Sequence, residues 1–363
     1  MTLENILTEI NAGRELNHEQ IIFLLSLQNK EEIEALYKKA YEIKTSLLGK
    51  KVYFRGLIEF SNICEKDCSY CGIRKSNKNL ERFMMTEDEI ISEAKFALEN
   101  NYGSIVLQSG ERTDKYFVDF VENIVRKIKG ISEGKLGITL CLGEQTEETY
   151  KKWFSAGAHR YLLRIETSNP ELYKKIHPPD HSFENRKKCL QILRECGYQV
   201  GTGVMIGIPG QTIYDLASDI LFFKEMDVDM IGMGPYIPHK DTPLGKYTKI
   251  NSEDQLELGL KMIAVARICL KDVNIASTTA LQALSPTGRE LGILAGANII
   301  MPNLTETKYR PAYKLYDGKP CLDENSAMCK SCLQKRIEAI GETIAFGEWG
   351  DSKHFAKRKT ILK

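Results

Sequence analysis

Hydrophobic and polar positions change period along the 363 residues of the chain. Over residues 1–47 apolar positions recur every three or four: Ile33, Leu36, Tyr37 and Ala40 share one helical face, and Gly49 ends the run. This pattern predicts two or three amphipathic helices. From residue 52 onward short, β-rich apolar runs take over. They lie at 52–60 (VYFRGLIEF), 104–108 (SIVLQ), 137–142 (GITLCL), 160–166 (RYLLRIE), 200–206 (VGTGVMI), 229–234 (DMIGMG), 274–279 (NIASTT) and 298–302 (NIIMP). Helical patterns such as MTEDEIISEAKFALENN and SEDQLELGLKMIAVARICL separate nearly all of them. Thr86 with Glu89 reads as a capping box, and Gly157 and Gly296 as helix stops.

Eight strands alternating with helices predict an α/β chain folded as a complete (β/α)8 TIM barrel. Continuous apolar runs suit parallel strands covered on both faces. A doubly wound open sheet is the competing architecture. The chain has no Pro- or Ser-rich linker, so the predicted organisation is a helical extension (1–50), a barrel (51–310) and a helical, cysteine-containing tail (311–363).

Charge adds little. Lys and Arg total 50 against 49 Asp and Glu, which leaves no basic surplus for nucleic acid or an anionic membrane. The first residues lack the basic-then-apolar layout of a secretory signal, and no apolar run reaches the ~18–20 residues of a membrane span. A cytoplasmic protein is expected, and there clustered cysteines point to metal rather than to disulfides.

In a barrel of this kind chemistry sits just after the strands. Cys64, Cys68 and Cys71 follow the first run, Gln108, Ser109, Gly110 and Glu111 the second, and Thr139 and Glu144 flank the end of the third. Arg164 and Glu166 end the fourth, Met205 the fifth, and Ser277, Thr278 and Thr279 the seventh. The spacing Cys-x3-Cys-x2-Cys lets three thiolates ligate three irons of a [4Fe–4S] cluster and leaves the fourth iron open. Zinc also accepts sulfur, but its structural sites take a fourth ligand, and no histidine stands in this stretch of sequence. Three cysteines that merely pack are the remaining alternative.

The segment CEKDCSYC, with aromatic Tyr70 before the third cysteine, resembles the signature of the radical S-adenosylmethionine (SAM) superfamily. The resemblance implies that Cys64, Cys68 and Cys71 hold the cluster and that SAM binds the open iron. SAM would then be cleaved to methionine and a 5′-deoxyadenosyl radical. It also implies SAM contacts from Tyr70, from Gln108, Ser109, Gly110 and Glu111, and from Glu166, Arg186 and Met205.

Further strings, among them IVLQSGE, YLLRIETSNPELYKKIHP, MIGIPGQTIYDL and GPYIPHKDTPLG, resemble the HydE family of [FeFe]-hydrogenase maturases in the biotin synthase-like group. That resemblance implies an organometallic substrate carrying iron, CO, cyanide and cysteine, attacked at its sulfur. Thr139, Arg164, Ser277, Thr278 and Thr279 would hold it, with Tyr309 closing the pocket. A reduced electron donor, other maturases as partners and a monomeric state are implied as well. Cys321, Cys329 and Cys332 resemble a trio that binds a second iron–sulfur cluster, [2Fe–2S] or [4Fe–4S], in some family members. One position departs: Ile165 replaces the histidine of the family's Arg-His-Glu-Thr, and alternation along the strand turns it away from Arg164 and Glu166. Two other readings stand beside this one, a methylornithine synthase-like small-molecule radical enzyme and an iron–sulfur carrier or scaffold.

Overall fold

Each β-rich run becomes a strand of one parallel sheet. The computed structural model describes residues 1–323 and 325–361. Its strands are β1 (Lys51–Ser61), β2 (Ser104–Ser109), β3 (Gly137–Cys141), β4 (Arg160–Leu162), β5 (Gln199–Thr202), β6 (Met205–Ile206), β7 (Met230–Ile231), β8 (Gly234–Pro235), β9 (Asn274–Ile275), β10 (Ile299–Ile300) and β11 (Thr343–Ile344). Pairing runs β10-β1-β2-β3-β4-β5-β7-β9. Ala276 bridges Ile299, and Ser277 N donates to Ile299 O at 2.9 Å, which joins the last strand to the first in a closed eight-stranded barrel. β6 and β8 pair above β5 and β7, and β11 adds to the start of β1.

The helices are α1 (Leu3–Asn11), α2 (His18–Leu25), α3 (Lys30–Leu48), α4 (Glu87–Glu99), α5 (Lys115–Ile131), α6 (Glu147–Ala156), α7 (Pro170–Ile176), α8 (Phe183–Glu195), α9 (Ile213–Glu225), α10 (Ser252–Leu270), α11 (Thr279–Leu284), α12 (Gly288–Leu294), α13 (Ser326–Ala339) and α14 (Lys353–Ile361). Their ends follow local chemistry. Thr86 and Glu89 form the capping box of α4, and Gly157 ends α6 at φ 118°. The amphipathic α2 and α3 lie on α10, where the buried Lys261 Nζ donates to Leu27 O at 2.9 Å.

Two long runs yield short strands for identifiable reasons. The fifth run breaks between β5 and β6 because the chain closes on its neighbour at Gly203, where a Cβ would come within 2.5 Å of the Gly232 carbonyl carbon. The fourth ends its regular pairing at Leu162 and turns at Glu166, whose φ of 66° is uncommon for a residue with a side chain.

The barrel floor is sealed by the segment after β11. Gly350 O accepts from Arg55 Nη2 (3.0 Å) and Asn274 Nδ2 (2.9 Å), and Trp349 O from Arg160 Nη1 (2.8 Å). Access to the interior is thereby confined to the opposite end, where the strands finish. Among the described residues no helix is long and apolar enough to cross a membrane.

Candidate active site

A cavity of about 280 Å³ opens at the C-terminal ends of the barrel strands. Alternation decides what faces it. On β1 the side chains of Phe54, Ile58 and Phe60 join the outer apolar core, so Leu57 and Glu59 point inward. Cys64, Cys68 and Cys71 all line one side, in the loop that follows β1. Cys64 Sγ accepts from the backbone N–H groups of Lys66 and Glu111, each at 3.4 Å. Burial raises all three thiols, Cys71 to about 12, so iron must displace their protons on binding.

The loop is clamped from several elements. Ser69 N and Oγ donate to Ile176 O at the end of α7 (2.9 and 3.0 Å). Ser69 O accepts from Leu244 N, and Gly72 N donates to Leu315 O, each at 2.9 Å. Gly110 lies against the loop: a Cβ there would come within 2.7 Å of Cys64 Cβ and closer still to Ile63 O. Only glycine lets the turn after β2 approach this far.

A charged wall faces the thiols. Arg186 Nε donates to Glu144 Oε1 at 2.5 Å, its Nη1 to Arg164 O at 2.6 Å, and its Nη2 lies 2.9 Å from His181 Nε2. Burial acts to raise the Glu111 carboxyl, but the hydrogen bond with His181 and the charge of Arg186 outweigh it and hold the group below its usual range. Arg164 Nε pairs with Glu166 Oε1 at 3.0 Å. Burial raises the Glu166 carboxyl against the pull of Arg164, and its buried Oε2 has no protein partner among the described residues. The left-handed backbone at Glu166 lets its carboxylate line the cavity; strain of this kind, about 1–3 kcal/mol, recurs at functional sites. Met205 forms an apolar patch with Leu172, Ile176, Ile208 and Tyr236, against which Tyr70 packs.

Thr278, Thr279, Cys141, Tyr313, Tyr316 and Lys319 complete the lining. Lys319 is buried and donates to Glu59 Oε1 and Oε2 (2.5 and 2.7 Å) and to Tyr313 O (2.9 Å). Asn303 Nδ2 donates to Glu59 Oε2 at 3.1 Å, which completes a buried ion pair. Gln108 Nε2 reaches the Tyr313 hydroxyl at 3.3 Å.

The structure thus brings together on one cavity the three cysteines, Tyr70, Gln108, Ser109, Gly110, Glu111, Arg164, Glu166, Arg186, Met205, Thr278 and Thr279. It places three expected residues outside the cavity wall. Thr139 sits one inward-facing position below Cys141, paired with Arg160 deeper in the barrel. Ser277 Oγ donates to Arg289 O at 2.8 Å within the wall. Tyr309 stacks on Phe83 and donates to Glu89 Oε1 at 2.9 Å on the outside. Ile165 is fully buried in the apolar core, away from the cavity.

Several further groups at the site carry no local signal in the sequence. His177 Nε2 lies 3.2 Å from the Tyr70 hydroxyl, His181 stands beside it, and His239 packs against Gly72, so three histidines border the cysteine loop. They come from the segments after α7 and β8, too far along the chain for local spacing to reveal. Glu59 was readable from alternation in β1, whereas Lys319 arrives from an irregular segment with no periodic signal.

A larger hollow, about 420 Å³, lies among α1, α9, α10 and α14 at the other end of the strands and contains none of these residues. Cys321 (φ 61°) is half-buried, while on α13 Cys329 is buried and Cys332, one turn on, is exposed.

These observations fit a cluster with SAM. Three thiols line one cavity, Gly110 provides a backbone approach beside Cys64, and orphaned polar atoms at Glu166 Oε2 and Thr278 Oγ1 await partners. Known proteins agree. Residues 58–223 match the radical SAM superfamily. The [FeFe] hydrogenase maturase subunit HydE of Thermotoga maritima is 47% identical over 354 residues, covering 97% of this chain and 98% of its own length. Methylornithine synthase shares the fold with a TM-score of 0.78 and 25% identity, over 99% of this chain and all of its own. The FeFe-hydrogenase maturase HydG from Carboxydothermus hydrogenoformans has a TM-score of 0.79 at 23% identity, over 95% of this chain and 79% of its own. The chain therefore belongs to the radical SAM enzymes, a family whose members use a [4Fe–4S] cluster and SAM, and within them to the HydE family.

Proposed function

We propose that this enzyme matures an [FeFe] hydrogenase by acting on a small organometallic precursor that carries iron, CO, cyanide and cysteine. The observation that carries the reading is the cavity itself, which gathers three thiols with Arg164, Thr278, Thr279 and the Glu59–Lys319 pair. When bound, the cluster and SAM supply a 5′-deoxyadenosyl radical by one-electron reduction of SAM, with a reduced donor feeding the cluster.

The chain's own groups position and enclose. Cys64, Cys68 and Cys71 would hold three irons. Glu166 and Arg186 would take the polar ends of SAM, with Gly110 offering backbone and Met205 and Tyr70 an apolar seat. Thr278 and Thr279 offer hydroxyls to an anionic or cyanide-bearing substrate, and Arg164 offers a cation. Tyr313, Tyr316 and Lys319 would help enclose the cavity and keep water from the reacting atoms. No side chain need move a proton.

The 47% identity to HydE over nearly the whole chain favours this substrate over a methylornithine-type carbon rearrangement. As further parts of the proposal, residues 51–310 form the barrel of a cytoplasmic monomer that works beside other maturases, and the tail adds Tyr313, Tyr316 and Lys319 to its cavity. Cys321, Cys329 and Cys332 hold a second, peripheral iron–sulfur cluster. Iron and sulfide analysis of a C321A/C329A/C332A variant tests that cluster, which predicts a loss of bound iron beyond the first site. Deletion of the gene tests the function: active [FeFe] hydrogenase should vanish and return on complementation. Undiminished hydrogenase activity in the deletion strain would refute it.

A further inference from the structure

Cys68, His177 and His181 come from the cysteine loop, the end of α7 and the turn before α8, yet one ligand atom of each lies within 4.8 Å of the others. All three side chains are buried or nearly so. His177 is held by Tyr173, whose carbonyl lies 3.0 Å from Nδ1 and whose ring stacks on the imidazole at 3.9 Å. The side chain of His181 is 2% exposed, and its Nδ1 has no protein partner among the described residues. One thiol and two imidazoles are a donor set suited to zinc, cobalt or ferrous ions.

The surroundings balance the charge. Glu111 Oε1 and Glu144 Oε1 each lie 3.5 Å from His181 Nε2, while Arg186 lies at 2.9 Å and Lys66 sits 3.9 Å from Glu111. Asp180 Oδ2 pairs with Lys66 at 3.0 Å, so a thiolate and three carboxylates face two side-chain cations and the incoming dication. With Nδ1 as the ligand atom, His181 Nε2 carries the proton and donates to Glu111 and Glu144, an outer contact that orients an imidazole ligand and raises metal affinity; Arg186 keeps its Nε bond to Glu144 while its Nη2 turns from Nε2.

We propose that the cluster-free chain binds one thiophilic divalent cation through Cys68, His177 and His181, and that this ion competes with the [4Fe–4S] cluster. Binding forms a metal–sulfur bond and releases the Cys68 thiol proton to solvent, with no change of oxidation state. The two occupants exclude each other because both need Cys68. The second half of that statement rests on Cys68 being a cluster ligand, but the cation site itself does not.

Co²⁺ is the probe. Titrated anaerobically into the full, cluster-free chain carrying C321A/C329A/C332A, which removes the other thiol trio, it should give a thiolate-to-cobalt charge-transfer band at one equivalent. X-ray absorption of that complex should find one sulfur and two imidazole nitrogens around the metal. The band should persist in C64A and C71A and vanish in C68A. H177Q and H181Q should each weaken binding at least tenfold, the scale on which even outer-shell losses act. Prior loading with Co²⁺ should slow reconstitution by iron and sulfide. A shell with two or three sulfurs and no imidazole, or the absence of a thiolate band, overturns the proposal. Both readouts are taken without SAM, so their failure leaves the radical chemistry to its own test.

Discussion

Gly110→Ala is the sharpest perturbation of the arrangement that holds the cluster loop. The new Cβ would stand 2.7 Å from Cys64 Cβ and closer to Ile63 O. Carbon atoms rest at about 3.5–4.0 Å, so the two segments must part by roughly 1 Å. Neither neighbour is a flexible side-chain tip: one is backbone and the other is the stem of a cluster ligand. Overpacking of this kind costs about 1–3 kcal/mol. At about 2.1 cal/mol/K per residue the 363-residue chain shifts roughly 1.3 °C per kcal/mol, so the melting temperature should fall by about 1–4 °C.

The displacement also moves Cys64, so iron bound after anaerobic reconstitution should fall as well. Gly130→Ala provides the control of opposite sign. Gly130 lies in α5 with open space around its missing Cβ, and alanine there should stabilise by about 0.5–1 kcal/mol. The assay is thermal unfolding of both variants beside iron per chain. A Gly110→Ala protein that melts with the wild type and loads a full cluster would refute the close approach and the role assigned to it.

Other consequences are as direct. Lys319→Met leaves Glu59 as an uncompensated buried charge and should cost about 3–5 kcal/mol, while Glu59→Leu combined with Lys319→Met should recover most of it; urea unfolding of the three variants decides. Ile165→Val should cost about 0.5–1.5 kcal/mol as a core deletion yet leave SAM cleavage unchanged, because the side chain does not reach the cavity. His354 bonds Asp272 and Asp227, and these partners raise its pKa to about 9. A raised folded-state pKa gives stability that is complete below pH ~6.5 and is lost as pH rises through about 9. The urea midpoint of the wild type should therefore drop between pH 7 and 9.5 more than that of His354→Gln, and equal drops would remove His354 as the cause.

The barrel was legible because its signals are periodic. Apolar runs such as 104–108 and 137–142 became β2 and β3 almost residue for residue, and Thr86 and Glu89 capped α4 as their spacing requires. The cysteine loop was legible because three ligands lie within eight positions of sequence. What escaped was chemistry assembled across the fold. His177 and His181 meet Cys68 only after α7 folds back over the loop, and Lys319 meets Glu59 across 260 residues of chain. Thr139, Ser277 and Tyr309 mark the converse limit. Position near a strand end identified the correct region, but one step along a strand or one hydrogen bond within the wall separates a lining residue from a supporting one.

The radical chemistry of this chain requires that the three thiols of the cavity commit SAM to cleavage. The direct measurement is 5′-deoxyadenosine formed by the reconstituted, dithionite-reduced chain under anaerobic conditions. The account predicts 5′-deoxyadenosine from the wild type and none from Cys64→Ala, Cys68→Ala or Cys71→Ala. A fully loaded wild-type protein that forms none, or a Cys71→Ala variant that forms as much as the wild type, would contradict it.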